Sequence, residues 1–349
     1  MAYTTINKST DYFNTVTYSG DGSSSRSITG VGFQPDWLWV KERSSTSSHQ
    51  VADAVRGAYS RLQTDNTNAE SVDSSPYNDF KSFDSDGWSM GSGGAINENS
   101  QTYVAWNWKA NGAGSSNTDG TITSTVSANQ TAGFSIVKWT GDSSASATVG
   151  HGLGATPAVI ITKELNGTDY WHVYHKDLTT NHNLFLNVSN ASSAPSDGTL
   201  ANVGSSTFGF QGSTNVVAVN ESGIDNIGYC FAEKTGYSKF GSYAGNNNAD
   251  GTFVYTGFKP AFLIVKRYGG GTQDWMIYDN KRLGYNGGSR ILPANTNASE
   301  GTSNAVDLLS NGFKFRTSDG NSNGYSDGYI YMAFGQSLVG SNNVPCTAF

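Results

Sequence analysis

One block of residues is written three times along this chain of 349 residues, and no other feature restricts its fold as strongly. The first copy reads Tyr18-Ser19-Gly20, then Gly32-Phe33-Gln34-Pro35-Asp36-Trp37-Leu38-Trp39-Val40-Lys41. The second reads Trp139-Thr140-Gly141, then Pro157-Ala158-Val159-Ile160-Ile161-Thr162-Lys163. The third reads Tyr243-Ala244-Gly245, then Gly257-Phe258-Lys259-Pro260-Ala261-Phe262-Leu263-Ile264-Val265-Lys266. From proline to lysine the step is six residues in each. Downstream, His49 to Asp53, Trp171 to His175 and Trp275 to Asp279 share a slot, and each copy closes on an aromatic run ending at Trp106, Phe231 or Phe334. Those last aromatics stand 71, 74 and 74 residues after the proline.

A unit this long exceeds the roughly 20–50 residues of a solenoid repeat, so each copy is expected to be a domain with its own core. Each holds short runs rich in Val, Ile, Tyr, Phe and Trp, broken by Gly, Asn, Asp and Ser, which is the pattern of a β-sandwich. Charged residues are only 14% of the chain and the polar positions are mostly Ser, Thr, Asn and Gly, which disfavours helices. The expected fold is therefore all-β: three tandem homologous antiparallel β-sandwich domains, jelly-roll-like, over 10–109, 131–235 and 240–336. Residues 110–130 read as a Gly/Ser/Asn linker, flexible around 111–117, and 337–349 as a C-terminal tail. Pro35, Pro157 and Pro260 fit just before a strand, where the missing N–H costs no ladder bond. Phe33 and Phe258 read as core aromatics after a turn, and Trp106, Phe231 and Phe334 as buried framework at the end of each copy. Runs such as Val159-Ile160-Ile161 are apolar on both faces, as in strands covered on both sides.

Net charge is −7 with 21 Lys and Arg, which gives no basic patch for nucleic acid. No run of eighteen apolar residues is present for a membrane span. The opening residues lack the basic and apolar blocks of a secretory signal, so assembly in a cytoplasm is expected. Cys230 and Cys346 are too few for a disulfide framework, and Cys230, inside an apolar run, reads as a buried thiol.

Triplication also weighs against a catalytic centre, because a reaction needs one asymmetric constellation whereas a fold needs its framework in every copy. Asp53 with Arg56, Asp279 with Arg282, and Glu70 with Glu300 recur, so they read as structural ion pairs or turn contacts. The second copy concentrates His151, His172, His175 and His182, but His172 and His175 are three apart on a strand and face opposite ways, a poor start for zinc. Asp319, Asn321, Asn323 and Asp327 match part of an EF-hand loop; Ile330 stands where the bidentate Glu belongs, so a hairpin loop is the first reading and calcium the second. No other cofactor is implied. The eight tryptophans Trp37, Trp39, Trp88, Trp106, Trp108, Trp139, Trp171 and Trp275 are the pool for sugar stacking, yet most fill repeated apolar slots and read as core.

The opening Tyr3-Thr4-Thr5-Ile6, the Gly32 to Trp37 block, Tyr103 to Lys109, Ala132 to Val137, Gly150 to Gly154, Tyr229 to Lys239 and the ending Val344 to Ala348 together resemble a family of repeat-containing virion proteins from tailed bacteriophages of aquatic bacteria, including cyanobacteria. The resemblance spans the chain. It implies a structural part of a virus particle and no known catalytic residues. Expected partners are other virion proteins and a host-surface glycan or protein, with the chain as a homo-oligomer or in many copies on the particle, and with no nucleic acid or membrane insertion. A tail-associated fibre, baseplate or adhesin subunit is the first expectation, a capsid-attached decoration or stabilising protein the second, and a carbohydrate-binding or carbohydrate-cleaving module a distant third. Binding would then reside in loops that differ between copies, Ser44–Ser48, Leu165–Asp169 and Tyr268–Thr272, each free to be replaced without harm to the fold.

Overall fold

The computed structural model describes residues 4–72, 79–212, 216–282, 288–303 and 305–338. The first copy supplies a larger sheet in the order Phe13–Ser19, Thr102–Trp108, Trp37–Glu42, Gln50–Asp53, antiparallel throughout. A smaller sheet of Arg26–Ile28, Gly87–Met90 and Phe80–Asp84 packs on it. The third copy repeats this order with Ser238–Tyr243, Tyr329–Gln336, Lys259–Arg267 and Met276–Asp279, extended by Ser289–Pro293 and Gly301–Ser303, over Phe253–Tyr255, Gly312–Phe315 and Val306–Leu309. The second does so with Phe134–Thr140, Asp225–Phe231, Val159–Glu164, His172–His175 and Leu184–Phe185, over Thr148–Gly150, Thr207–Gln211 and Thr199–Ala201. Helix among the described residues is limited to two four-residue turns and one 3-10 turn. The chain is all-β.

Alternation along the central strands shows why they are apolar on both faces. Leu38 and Val40 point into the first sandwich with Ile28, Phe33 and Trp88. Ile160 does so in the second and Leu263 with Val265 in the third. The intervening residues Trp37 and Trp39, Val159 and Ile161, and Phe262 and Ile264 all enter one further core, to which every copy contributes. The larger sheets thus turn their outer faces on each other. Trp108, Phe231 and Phe334 meet there: Phe334 lies 5.8 Å from each of the other two rings, and Trp37 stacks on Tyr229 at 4.6 Å. Aromatic pairs at such distances add about 0.5–1.5 kcal/mol each beyond the area they bury.

The copies have cores of their own, as expected, but a shared fourth core packs them against one another. Three expectations change at this point. Residues 110–130 are not a free linker: Ala110 enters the shared core, and Ser115–Asn117 and Ser124–Asn129 add two strands to the second copy's larger sheet. Pairing register sets Trp108, not Trp106, level with Phe231 and Phe334, because Trp37 faces Trp108 as Val159 faces Phe231 and Phe262 faces Phe334. Pro35 and Pro157 precede their strands, whereas Pro260 lies inside Lys259–Arg267 at a register shift, the bulge that tolerates its missing N–H. Phe33, Phe258, Trp106, Phe231 and Phe334 are all at most 3% exposed, and the three prolines are buried. Ser238 already begins the third copy's first strand, and Ser337 is buried at the start of the tail, whose residues from 339 on lie outside the described set.

A shared core predicts shared unfolding. Calorimetry should show one endotherm for the whole chain, and Phe231→Ala should lower stability by about 3–5 kcal/mol while leaving the transition single. Three resolved transitions, with only the second moved by the substitution, would show that the shared core does not couple the copies.

Candidate functional site

Three sets of contacts join the copies around a ring, two of them at all three seams and the third at two. In the first, the residue two beyond each repeated lysine accepts a backbone bond from a different copy: Leu165 O from Glu70 N–H at 2.7 Å, Tyr268 O from Ser192 N–H at 3.1 Å, Arg43 O from Glu300 N–H at 2.8 Å. In the second, a ring N–H crosses the seam: Trp171 donates to Gln63 O at 2.8 Å, Trp275 to Phe185 O at 2.9 Å and His49 Nε2 to Pro293 O at 3.0 Å. His49 thus stands in for tryptophan, its Nδ1 accepting from Trp39 Nε1 at 2.8 Å. Each copy touches both others, in cyclic order.

The third set carries charge. Asp53 Oδ1 accepts the N–H groups of Val55 and Arg56, while Oδ2 takes Arg56 Nε and, from the second copy, the Tyr229 hydroxyl at 2.8 Å. Arg56 Nη1 continues to Glu70 at 2.9 Å. Asp279, Arg282 and Glu300 repeat the arrangement, with Trp106 Nε1 of the first copy donating to Asp279 at 2.9 Å and Arg43 forking onto Glu300 at 2.9 Å twice. The Asp and Arg side chains of both sets are at most 1% exposed. Burial works against the Arg56 cation, and Asp53, Tyr229 and Glu70 more than reverse that, so it stays charged.

In the second copy these three positions hold His175, Leu178 and Ser192. The reason lies across the seam: Met332 stands where the other seams have Tyr229 or Trp106, and it has no hydrogen to donate. A carboxylate facing it would lack a cross-seam partner. His175 instead accepts Asp177 N–H on Nδ1 at 3.1 Å, directs Nε2–H to Tyr331 O at 3.4 Å, and is held neutral by burial, its pKa near 4. Leu178 packs on the shared core in place of the arginine.

Lys41, Lys163 and Lys266 are also buried, at most 1% exposed. Each ammonium donates to the carbonyl of the next residue, at 2.6, 2.9 and 2.8 Å, and Lys266 also reaches Ser189 O across a seam at 2.9 Å. Burial pulls their pKa values down to about 8, 8 and 7. The seam between the third and first copies has no chain crossing it and keeps a cavity of about 450 Å³, lined in part by Phe13, Asn14, Pro260, Asn280 and Gln336.

The remaining candidates are dispersed. His151 accepts Leu153 N–H on Nδ1 and directs Nε2 to Gly204 O, so His49, His151 and His175 each have both ring nitrogens engaged. His172 meets Asn183, and His182 is half-buried. Asp319 accepts Asn321 N–H, Asn321 accepts Asp274 N–H, Asn323 is buried and pins Asn246, Asn248 and Thr317, and Asp327 forks onto Arg267. The four side chains thus serve separate loop contacts. Cys230 is fully buried with its thiol pushed up to about 12 by burial; Cys346 lies outside the described residues. All eight tryptophans are at most 2% exposed. The loops Ser44–Ser48, Leu165–Asp169 and Tyr268–Thr272 have exposed tips but start in the seams, where Leu165, Tyr268 and Ser47 bond another copy. They are anchored, not free. The seam roles of Arg43, Tyr229 and Gln63 are not legible in the sequence, since nothing local marks a partner in another copy.

The family described as a domain of unknown function, DUF7483, matches residues 8–337. No curated protein and no solved structure matches the chain.

Arg56→Leu should cost about 3–5 kcal/mol in urea denaturation, because it strands the buried carboxylate of Asp53 and takes the partner from half-buried Glu70. The triple variant Asp53→His, Arg56→Leu, Glu70→Ser, which copies the neutral set, should cost less than that single change; a larger cost would overturn the account of the exchange. The lysines give a pH dependence. Unfolded lysine titrates near 10.5, so between about pH 7 and 10 the unfolded chain binds more protons and native stability rises with pH. Lys266→Met lacks that gain, so the stability of the variant relative to wild type should fall from pH 7 to pH 10, whichever of the two is the more stable at pH 7. An unchanged difference would contradict a depressed Lys266.

Proposed function

The chain belongs to the DUF7483 family, a domain of unknown function, and from this premise we propose that it is a non-enzymatic structural protein of a bacteriophage virion, tail-associated as a fibre, baseplate or adhesin subunit. The observation that carries the reading is where the reactive groups go. The Asp–Arg–Glu sets, Lys266 and the histidines His49 and His175 bond across the seams, Lys41 and Lys163 are taken up by carbonyls of their own copies, and the surface offers loop tips on a ring of three units. A scaffold of that kind acts by position and by number of copies on a particle. The sequence resemblance to virion proteins supplies the particle.

A capsid-attached decoration protein is the second reading, favoured by one specific feature: a ring of three similar units has the shape to sit on a three-fold position of a shell. Immunogold labelling of intact particles separates them. Label at the tail supports the first reading and label over the shell the second, while its absence from purified particles overturns both. Replacing the exposed tips Ser44–Thr46, Asn166–Thr168 and Gly270–Thr272 with Gly-Ser, with the seam residues kept, should preserve the melting transition and lower adsorption or incorporation at least tenfold. Unchanged adsorption and incorporation would remove the loops from the proposal.

A further inference from the structure

Three side chains of the third copy have no counterpart in the other two, and they stand together. Val254 pairs with Phe313 as Ile28 pairs with Trp88 and Val149 with Phe208. The outward neighbours Phe253 and Tyr255 therefore correspond to Ser27 and Thr29 in the first copy and to Thr148 and Gly150 in the second. Lys239 faces Ala333 as Asn14 faces Asn107 and Ser135 faces Cys230. The framework requires none of the three.

Phe253–Tyr255 is the outer strand of its sheet, paired on one side only. Val254 points inward and is 8% exposed, whereas Phe253 and Tyr255 point outward and are 45% and 55% exposed. Their side chains follow one face at about 6.5–7 Å spacing, the rise of two residues in a strand. From the edge of the larger sheet Lys239 reaches over, its ammonium donating to Tyr255 O at 3.2 Å and lying 5.4 Å from the Tyr255 ring centre. Neighbouring cations differ: Lys314 pairs with Asp250 and Arg316 with Asp307, while Lys239 has no carboxylate within ion-pair distance among the described residues. Two open rings beside an uncompensated cation form an amphipathic, positively charged strip.

We propose that Phe253, Tyr255 and Lys239 bind an acidic polysaccharide, a glycan bearing uronate groups. The aromatic faces stack on the C–H faces of successive sugar rings, which are the apolar surface a pyranose offers, and the ammonium pairs with a carboxylate. The strip alone is smaller than a stable protein interface. Two aromatic side chains bury about 150–250 Å² each at most, against about 800 Å² per partner in a stable protein interface. The inference concerns residues outside the loop tips and stands independently of the virion reading.

Affinity electrophoresis of the full chain through gels containing alginate, polygalacturonate or neutral hydroxyethylcellulose tests it. Wild type should be retarded by at least one uronate polymer and not by the neutral one. Phe253→Ser with Tyr255→Thr, the residues of the first copy at these positions, should weaken that retardation at least tenfold with an unchanged melting curve. Lys239→Asn should do likewise, and Lys239→Arg should retain it. No retardation by either uronate polymer, equal retardation by hydroxyethylcellulose, or full retardation of the folded double variant would each overturn the proposal. So would concentration-dependent self-association that the double variant abolishes, since the strip would then join copies of the chain.

Discussion

The outer faces of the three larger sheets are apolar, and much of the architecture follows from that. Trp37, Trp39, Val159, Ile161, Phe262 and Ile264 would face water if each sandwich stood alone, an apolar patch that single soluble domains rarely tolerate. Closing three sandwiches on one another removes it. Closure in turn buries whatever lies at the rims of those sheets, and there the chain places its Asp–Arg–Glu sets and its ring N–H donors. Such charged groups contribute little net stability against apolar replacements, but they fix which copy lies beside which, since a mismatched seam would strand a carboxylate.

The second copy shows how closely the rims are matched. Met332, Tyr229 and Trp106 occupy the same register position, and the residue facing each changes with its ability to donate a hydrogen. A homotrimer of one short chain could not vary its seams in this way, because every subunit would carry the same residues. Writing the three units in one chain lets each seam be tuned alone, and lets a surface feature appear once per ring.

The β class and the threefold writing were legible because both are local: runs of branched and aromatic residues between Gly and Asn clusters, and fixed spacings from Pro35, Pro157 and Pro260. The shared core was not, since a strand apolar on both faces says that something covers it and not what. The run Tyr103 to Trp106 marks Trp106 as the closing aromatic; only the pairing of Trp37 with Trp108 puts Trp108 in that place. Residues 110–130 have the composition of a linker, yet short polar strands at a sheet edge have it too. The Asp319 to Asp327 segment looks like a cation loop for the same reason that it folds as a turn: Asn and Asp oxygens that could ligate a metal also accept backbone N–H groups. The paired charges of Asp53 and Arg56 were visible three residues apart, whereas Tyr229, which completes them, is far along the chain.

The seam without a chain crossing joins segments that synthesis separates most. Gln336 Oε1 accepts Ser9 N–H at 2.7 Å across 327 residues. Bringing such distant points together costs about 5 kcal/mol of loop-closure entropy for an ideal flexible chain, about 1 kcal/mol more than the contacts of the first two seams. On the ribosome the first two copies emerge with one side of their common aromatic surface, Phe13 and Trp106 included, still uncovered. At about 5–20 residues per second, the hundred or so residues of the last copy leave that surface open for roughly 5–20 seconds. The interval in which this chain is most prone to aggregate is therefore set by the order of its copies rather than by the stability of the finished ring.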